Sequence, residues 1–154
     1  GSGVAQYPLN AIHSAVEGLP FVCPVDLDVQ MPMIFADDLA RGLLDLMDAP
    51  QNMLYEPEHG YCIPGFSGTA KDIFNEISKH IPEFEYIVDV KPQMNKLLHT
   101  WPDSISRKEA ARDLSYRPHF DLEQTVERIL RAHRARRAHK AVKPELCSVS
   151  DPRL

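Results

Sequence analysis

The stretch Trp101-Pro-Asp-Ser-Ile-Ser-Arg-Lys-Glu-Ala-Ala-Arg-Asp-Leu-Ser-Tyr-Arg-Pro-His-Phe-Asp-Leu122 decides the fold of this chain. Its first part predicts a short helix that Ser104 caps and that ends at Leu114, because serine is a favoured residue at a helix N-cap. An aromatic-x-Pro turn, Tyr116 to Pro118, breaks this helix. Asp121 then caps a further helix whose apolar residues recur at helical spacing. The stretch therefore predicts two helices joined by a turn.

The rest of the chain alternates predicted helices with short apolar strands. The predicted helices cover residues 8–18, 38–47 with Asp37 or Asp38 as the cap, and 70–81 with Ser67 or Thr69 as the cap. The predicted strands are Phe21–Cys23, Met31–Phe35, Tyr61–Ile63 and Phe84–Val90. Together they predict an α/β fold with short strands and about five helices.

Composition and length are those of one ordinary globular domain. The chain has 154 residues, of which 44% are hydrophobic and 25% charged. No apolar run approaches the roughly 18 residues that a membrane-spanning helix needs. The three cysteines, Cys23, Cys62 and Cys147, form no Cys-x-x-Cys pair, which favours free thiols in a reducing, intracellular compartment, either mitochondrial or cytoplasmic.

The net charge of −5 hides a strong asymmetry along the chain. Residues 128–143 hold seven Lys and Arg and no acid, whereas residues 1–127 are strongly acidic. This stretch lacks the interleaved aromatic residues that stack on bases and the apolar face that inserts into a membrane. It is predicted to be a solvated helix extension, with a docking tail for an acidic partner as the alternative; nucleic acid and membrane partners are not expected.

The sequence lacks the motifs of several kinds of active site. No Gly-x-Gly-x-x-Gly turn follows a strand, so no dinucleotide-binding residues are predicted. Gly1-Ser2-Gly3 has no strand before it, and fits either an expression scar or a glycine-rich loop. The seven histidines give no metal-binding pair on a credible helix. Catalytic, cofactor-binding and metal-binding residues are all predicted to be absent from this chain.

The stretch from Trp101 to Pro118 resembles the C-terminal signature of extended short-chain dehydrogenases. Its opening, Trp-Pro-x-Ser-Ile, is most similar to the short-chain type of L-threonine 3-dehydrogenase, within the NAD-dependent epimerase/dehydratase superfamily. The segments Met31–Asp38, Gly65–Ala70 and Lys79–Phe84 resemble the same family, so the similarity spans about residues 1–130. The resemblance implies the C-terminal portion of such an enzyme: a small substrate domain with elements that pack on a missing Rossmann half.

In the intact enzyme the resemblance implies NAD-dependent oxidation of L-threonine to 2-amino-3-ketobutyrate. Short-chain dehydrogenases use a Tyr with a Lys four residues later, and none of the five tyrosines here has that Lys. The N-terminal Rossmann half would therefore supply both NAD and the Tyr/Lys pair, and this chain is expected to be inactive alone. The family also suggests a homodimer.

By resemblance, the substrate-binding residues are Gly3, Val4, Ala5 and Trp101. The family carries two threonines where this chain has Val4 and Ala5, so two hydroxyl groups that help to hold an amino acid are missing. Its acidic residues after Trp-Pro-x-Ser-Ile fall on Ser106, Arg107 and Lys108, which reverses the local charge. The Gly-Trp pair of the family aligns with Ser115 and Tyr116 in this chain.

Two other functions remain open. A non-catalytic, truncated paralogue would act as a binding or scaffolding module. Part of a sugar-nucleotide epimerase or dehydratase would need an arginine that binds the nucleotide, and the sequence offers no clear candidate. On the dehydrogenase interpretation we expect residues 1–130 to form the substrate-side part, 131–143 a basic helix extension, and 144–154 a disordered tail.

Overall fold

The computed structural model describes residues 4–54 and 60–142 and shows an α/β fold. A short 3-10 helix, Val4–Gln6, leads into the first α-helix, and a second one covers Gln51–Met53. The sequence predicted about five helices, and the described residues form six: α1 Tyr7–Glu17, α2 Ala36–Asp48, α3 Ala70–His80, α4 Pro92–Leu98, α5 Lys108–Asp113 and α6 Leu122–Val142. The four strands are β1 Phe21–Cys23, β2 Gln30–Met33, β3 Phe66–Thr69 and β4 Tyr86–Val88.

The strands form two small sheets beside one core. β1 pairs with β4 in parallel, with Val22 opposite Ile87. β2 pairs with β3 in the antiparallel sense, with Pro32 opposite Ser67. The core lies where α1, α3 and α6 pack together over β1, and it contains Ile12, Cys23, Phe74, Ile77 and Leu130 among its buried residues.

The helix ends follow local chemistry, as the sequence predicted for three of them. Gly18 ends α1 with φ of 68°, a left-handed conformation in which glycine has no steric penalty. Thr69 caps α3 in a capping box with Asp72. Asp121 and Gln124 exchange the same pair of hydrogen bonds at the start of α6, at 2.9 and 3.1 Å.

The predicted strand at Tyr61–Ile63 is wrong, and of the two caps predicted for α3, Thr69 is confirmed and Ser67 is not. No strand forms at Tyr61–Ile63, where the Tyr61 hydroxyl donates instead to Asp113 at 3.1 Å. The strand lies later, at β3, because the antiparallel partner β2 supplies its hydrogen bonds. Ser67, which the sequence offered as a helix cap, lies within this strand.

The predictions that Asp37 or Asp38 caps α2 and that Ser104 caps the helix before Leu114 are also wrong, since α5 begins at Lys108 with Arg107 as its N-cap. The N-cap of α2 is Phe35, and no side chain makes a capping hydrogen bond there. Both aspartates lie in the first turn, where their charge is favourable to the helix dipole. Asp37 is exposed, whereas Asp38 is buried and binds a distant part of the chain.

The basic part of α6 contacts the ends of two other helices. The Arg137 guanidinium donates to the Val16 carbonyl at the end of α1, at 2.6 Å, and Arg134 reaches the His80 carbonyl at the end of α3, at 3.5 Å. Cationic side chains are favourable at helix C-termini, where carbonyl groups lack partners. At least two of these arginines therefore bind within the chain. The predicted disordered tail, 144–154, lies outside the described residues.

Some features are absent from the part of the chain that the structure describes. No helix there is long and apolar enough to cross a bilayer. Nor does that part bring three or more His, Cys, Asp or Glu side chains together as a metal site. Cys23 and Cys62 are free thiols, the first buried and the second exposed.

Candidate functional site

An open apolar groove of about 420 Å³ lies between the starts of α1 and α6 and the segment from Met31 to Ala36. Leu9 and Ile12 of α1 line one wall, and Leu122 and Ile129 of α6 line another. Almost all of its lining is hydrocarbon. The Thr125 hydroxyl is an exception, and it has no hydrogen-bond partner within the described residues.

The predicted substrate-binding residues do not all meet in this groove. Ala5 lines it, whereas Trp101 does not and is instead half-buried at the edge of the core. Val4 begins the short 3-10 helix that leads into α1, and Gly3 lies outside the described residues. The structure therefore brings Ala5 to the groove and places Trp101 elsewhere.

A buried clamp, which we call the Asp38 clamp, joins α2 to the turn before α6. It consists of the Asp38 carboxylate, Arg41, Tyr116 and the backbone from Arg117 to Phe120. The carboxylate accepts hydrogen bonds from the backbone N–H groups of His119 and Phe120, both at 2.9 Å. The Arg41 guanidinium donates to Asp38 at 2.8 Å and to the Arg117 carbonyl at 2.6 Å.

Tyr116 completes the Asp38 clamp through its hydroxyl and its ring. Its hydroxyl donates to the Asp38 carbonyl at 3.3 Å, and the Arg41 guanidinium lies 4.7 Å from the centre of its ring. The aromatic-x-Pro turn is thus held by α2, more than seventy residues away in sequence. The clamp fixes the start of α6 and, with it, one wall of the groove.

The pKa of Asp38 reflects this environment. Burial acts to raise the pKa of the carboxyl, but the hydrogen bonds from Arg41, His119 and Phe120 outweigh burial and hold the pKa below its usual value. Asp38 is therefore ionised at neutral pH and serves as an acceptor within the fold. It is unsuited to act as a general base, because a low pKa makes a carboxylate weakly basic.

The tyrosines with raised pKa values are likewise unsuited to accept a proton at neutral pH. Burial raises the pKa of Tyr7 and of Tyr116, and burial with a hydrogen bond to Asp113 raises that of Tyr61 to about 12. The Tyr7 hydroxyl is buried and has no hydrogen-bond partner in the described part of the chain. A tyrosine that accepts a proton at neutral pH needs its pKa lowered, and burial here acts in the opposite direction.

Comparison with known proteins identifies relatives that this chain resembles over part of their length. No protein-family model matches the chain. It is 30% identical over 133 residues to the mitochondrial L-threonine 3-dehydrogenase of Bos taurus, covering 86% of this chain and 35% of that protein. It is 27% identical over 132 residues to an uncharacterized epimerase/dehydratase of Staphylococcus haemolyticus, covering 86% of this chain and 41% of that protein.

The fold agrees with the sequence comparison. The apo structure of a GalE-like L-threonine dehydrogenase from Cupriavidus necator superposes with a TM-score of 0.81 at 29% identity, over 86% of this chain and 47% of that one. The chain thus spans less than half the length of each of these relatives. In sequence and in fold, it matches a C-terminal part of L-threonine 3-dehydrogenases and epimerase/dehydratase-like proteins.

Proposed function

We propose that this chain is the substrate-side part of an NAD-dependent oxidoreductase that acts on L-threonine, and that it is inactive alone. In the intact enzyme, an N-terminal Rossmann half would supply the NAD site and the proton-transferring tyrosine, and the product would be 2-amino-3-ketobutyrate. The observation that carries the proposal is the match to L-threonine dehydrogenases over less than half of their length.

The exposed face of α2 supports the proposal that an N-terminal half normally packs against this chain. Leu43, Leu44 and Met47 of this helix expose 46, 60 and 80% of their surface. With Leu39 they form a contiguous apolar stripe at helical spacing. A stripe of this kind on a soluble protein indicates a surface that another element covers. The N-terminal half of the same enzyme is the occupant that the family relationship suggests.

The groove is consistent with one side of a substrate site whose polar groups come from the Rossmann half. An amino acid carries an ammonium and a carboxylate, and each loses hydration when it is buried, so each needs hydrogen-bonding partners. Thr125 contributes the one hydroxyl of the groove's lining, but that oxygen is buried, and the walls of the groove are otherwise apolar. The remaining donors and acceptors would have to come from the Rossmann half.

The test compares the chain with the native polypeptide that carries it. Both are purified and assayed for NADH formation with L-threonine. We expect activity from the longer polypeptide and none from the 154-residue chain. Activity of the short chain alone would refute the proposal, and so would a longer polypeptide that binds NAD but leaves L-threonine unoxidised.

Ala5 offers a sharper test within the groove. Ala5→Thr restores one hydroxyl of the two that the family has at this point, and Ala5→Val adds the same bulk without the hydroxyl. One neutral hydrogen bond is worth about 1 kcal/mol, so we expect Ala5→Thr to lower KM for L-threonine about fivefold relative to Ala5→Val. Equal KM values for the two variants would place the substrate away from Ala5.

A second candidate function is epimerase or dehydratase chemistry on a sugar nucleotide. The similarity to the Staphylococcus haemolyticus protein favours it. It predicts that the intact polypeptide binds a nucleotide sugar and leaves L-threonine unchanged. Isothermal titration of the intact polypeptide with UDP-sugars and with L-threonine separates the two proposals, since each predicts heat from one ligand class.

A non-catalytic binding module is the remaining alternative. It predicts that the 154-residue chain is the whole natural protein and remains monomeric in solution. The exposed stripe of α2 argues against this, because such a surface drives association when nothing covers it.

A further inference from the structure

A small pocket of about 160 Å³ lies between β3 and the loop that follows α4. Gly65 and Ser67 line it on the strand side, and Ser104, Ile105 and Arg107 line it on the loop side. No carboxylate lines it. A cationic side chain and two hydroxyl groups therefore line one cavity, although Ser67 lies about forty residues from Ser104 and Arg107 along the chain.

The Arg107 guanidinium is anchored within this pocket. Its Nη2 donates to the Gly65 carbonyl at 2.9 Å. The Gly65 backbone is itself tightly held, because a Cβ atom there would lie 2.2 Å from the Met33 carbonyl oxygen. No carboxylate pairs with Arg107 within residues 4–54 and 60–142. Its positive charge is therefore positioned but not neutralised by the described chain.

The two hydroxyl groups add further donors. The side chains of Ser67 and Ser104 make no hydrogen bond with the described part of the chain. A guanidinium presents several N–H groups in one plane, and this arrangement matches the oxygens of a carboxylate or a phosphate. Only one of those N–H groups is used by Gly65.

We propose that this pocket binds a small oxyanion, a carboxylate or phosphate group, through the Arg107 guanidinium and the hydroxyls of Ser67 and Ser104. Its volume suits a single such group, since pockets for whole drug-sized ligands start at about 300 Å³. Pro32 and Phe66 border both this pocket and the apolar groove, so the two cavities share part of their lining. A short apolar body on the bound anion would contact these two side chains.

Anion binding at this site requires these side chains and does not require dehydrogenase activity. Anion binding is tested by an NMR titration of the isotope-labelled native polypeptide with sodium acetate, sodium butyrate and sodium phosphate, at constant ionic strength set with NaCl. We expect saturable shifts of the Ser67, Ser104 and Ile105 amides and of the Arg107 side-chain N–H. Tighter binding of butyrate than acetate would assign a carboxylate with an apolar body, and tighter binding of phosphate would assign a phosphate group.

Matched variants separate the pocket from general surface charge. Arg107→Gln should weaken binding about tenfold or more, because a hydrogen bond to a charged group is lost. Arg128→Gln removes one charge from an exposed arginine of α6 and should leave binding unchanged. Ser104→Ala keeps the guanidinium and should weaken binding about threefold, so the proposal can be tested even if Arg107→Gln fails to fold.

Shifts that do not saturate, or that are equal in the native polypeptide and in Arg107→Gln, would overturn the proposal. Unchanged affinity in Ser104→Ala would remove the hydroxyl of that residue from the site. None of these results depends on whether L-threonine is oxidised, so failure here is distinguishable from failure of the proposed function.

Discussion

Helices α2 and α3 both carry an apolar stripe, but only that of α3 is covered. Ile73, Phe74 and Ile77 of α3 are buried in the core to 1% exposure or less. On α2, the Leu43, Leu44 and Met47 side chains face solvent. The side of α2 that this chain does cover is different: it contains the Asp38 carboxylate and Gly42, both buried. An apolar stripe therefore identifies a face that must be covered, but it does not identify the covering element.

The difference also divides the molecule by function. Helices α1, α3 and α6 bury their apolar side chains against one another and form the core. The α2 region is held to that core by a polar clamp and presents its leucines outward. On the account proposed here, the first region is the scaffold of the substrate side, and the second is the surface that meets the Rossmann half.

Replacing one leucine and one isoleucine should give the largest contrast. In the 154-residue chain, Ile77→Ala should lower the free energy of unfolding by about 2–5 kcal/mol, because it leaves a cavity in the core. Leu44→Ala should change it by about 0.5 kcal/mol or less, because the side chain is already in water. Urea denaturation measures both.

In the longer native polypeptide the two replacements should differ less. If the Rossmann half covers Leu44, Leu44→Ala should lower the free energy of unfolding there by about 2 kcal/mol or more. A large cost of Leu44→Ala in the short chain would show that α2 is already covered. No cost in the longer polypeptide would show that the Rossmann half packs elsewhere.

The Asp38 clamp should account for most of the attachment of α2. Asp38→Asn keeps the shape but loses the charge that Arg41 and two backbone N–H groups bind, and it should cost about 2–3 kcal/mol. Asp37→Asn changes the exposed neighbour and should stay within about 0.5 kcal/mol. Chemical denaturation at neutral pH provides the comparison, and equal effects of the two replacements would contradict the clamp.

The pH dependence follows from the lowered pKa of Asp38. Its contribution to stability is present at neutral pH, and it is lost as the pH falls through the folded-state value. Asp38→Asn should therefore have a flatter acid limb in a plot of unfolding free energy against pH. An acid limb as steep as that of the natural sequence would assign the loss to other carboxylates.

The seam between α1 and α6 should weaken as the pH falls below neutrality. The His13 and His133 rings lie 4.3 Å apart between their centres. Burial lowers the pKa of His133, with further contributions from His13 on α1 and Arg136 on α6, while Glu17 opposes them. Because the folded-state value lies below the ordinary 6.5, the unfolded chain binds the proton first, and stability falls as the pH drops below about 6.5.

The loss of stability should develop between about pH 7.5 and pH 5.5, on either side of the ordinary histidine pKa. His133→Gln should remove much of it, whereas His99→Gln, on an exposed residue, should not. Hydrogen exchange of the α6 amides over this pH range measures the change. Equal pH dependence in the two variants would exclude the His13–His133 contact as its source.

Ser115 should give the smallest effect. Its φ is 52°, a left-handed conformation that costs a residue with a Cβ roughly 1–2 kcal/mol. Glycine relieves this cost but loses more chain entropy on folding, so Ser115→Gly should stabilise by about 0.5 kcal/mol. Ser115→Ala keeps the Cβ and should give no gain. A loss of stability with glycine, measured by thermal unfolding, would show that the Ser115 side chain makes a larger contribution than its backbone strain.

The sequence was sufficient for elements with local signals. Helices α1, α3 and α6 were predicted because the Gly18 stop and the Thr69 and Asp121 caps act within a few residues. The prediction failed where a distant partner decides the structure. Asp38 was expected to cap its own helix, yet besides Arg41 its partners are the backbone N–H groups of His119 and Phe120, more than eighty residues away.

The strands show the same limit. Tyr61–Ile63 has a strand-like composition but no partner strand in the described part of the chain, whereas β3 forms because β2 lies beside it. For the candidate site, the resemblance named Ala5 as a substrate-binding residue, and in the structure Ala5 lines the groove. It also identified the charge reversal at Arg107, but only the structure shows that Ser67 and Ser104 share a pocket with that arginine.

The mass of the native polypeptide in its own cells, measured after capture with an antibody to the region around Trp101, tests the central claim most directly. A Rossmann half of roughly 150 residues would bring the mass to about 35 kDa or more, and the account predicts a species of that size. A species of 17.4 kDa, the mass of this chain, as the sole product would contradict the account. In that case the exposed face of α2 would belong to a protein that stands alone.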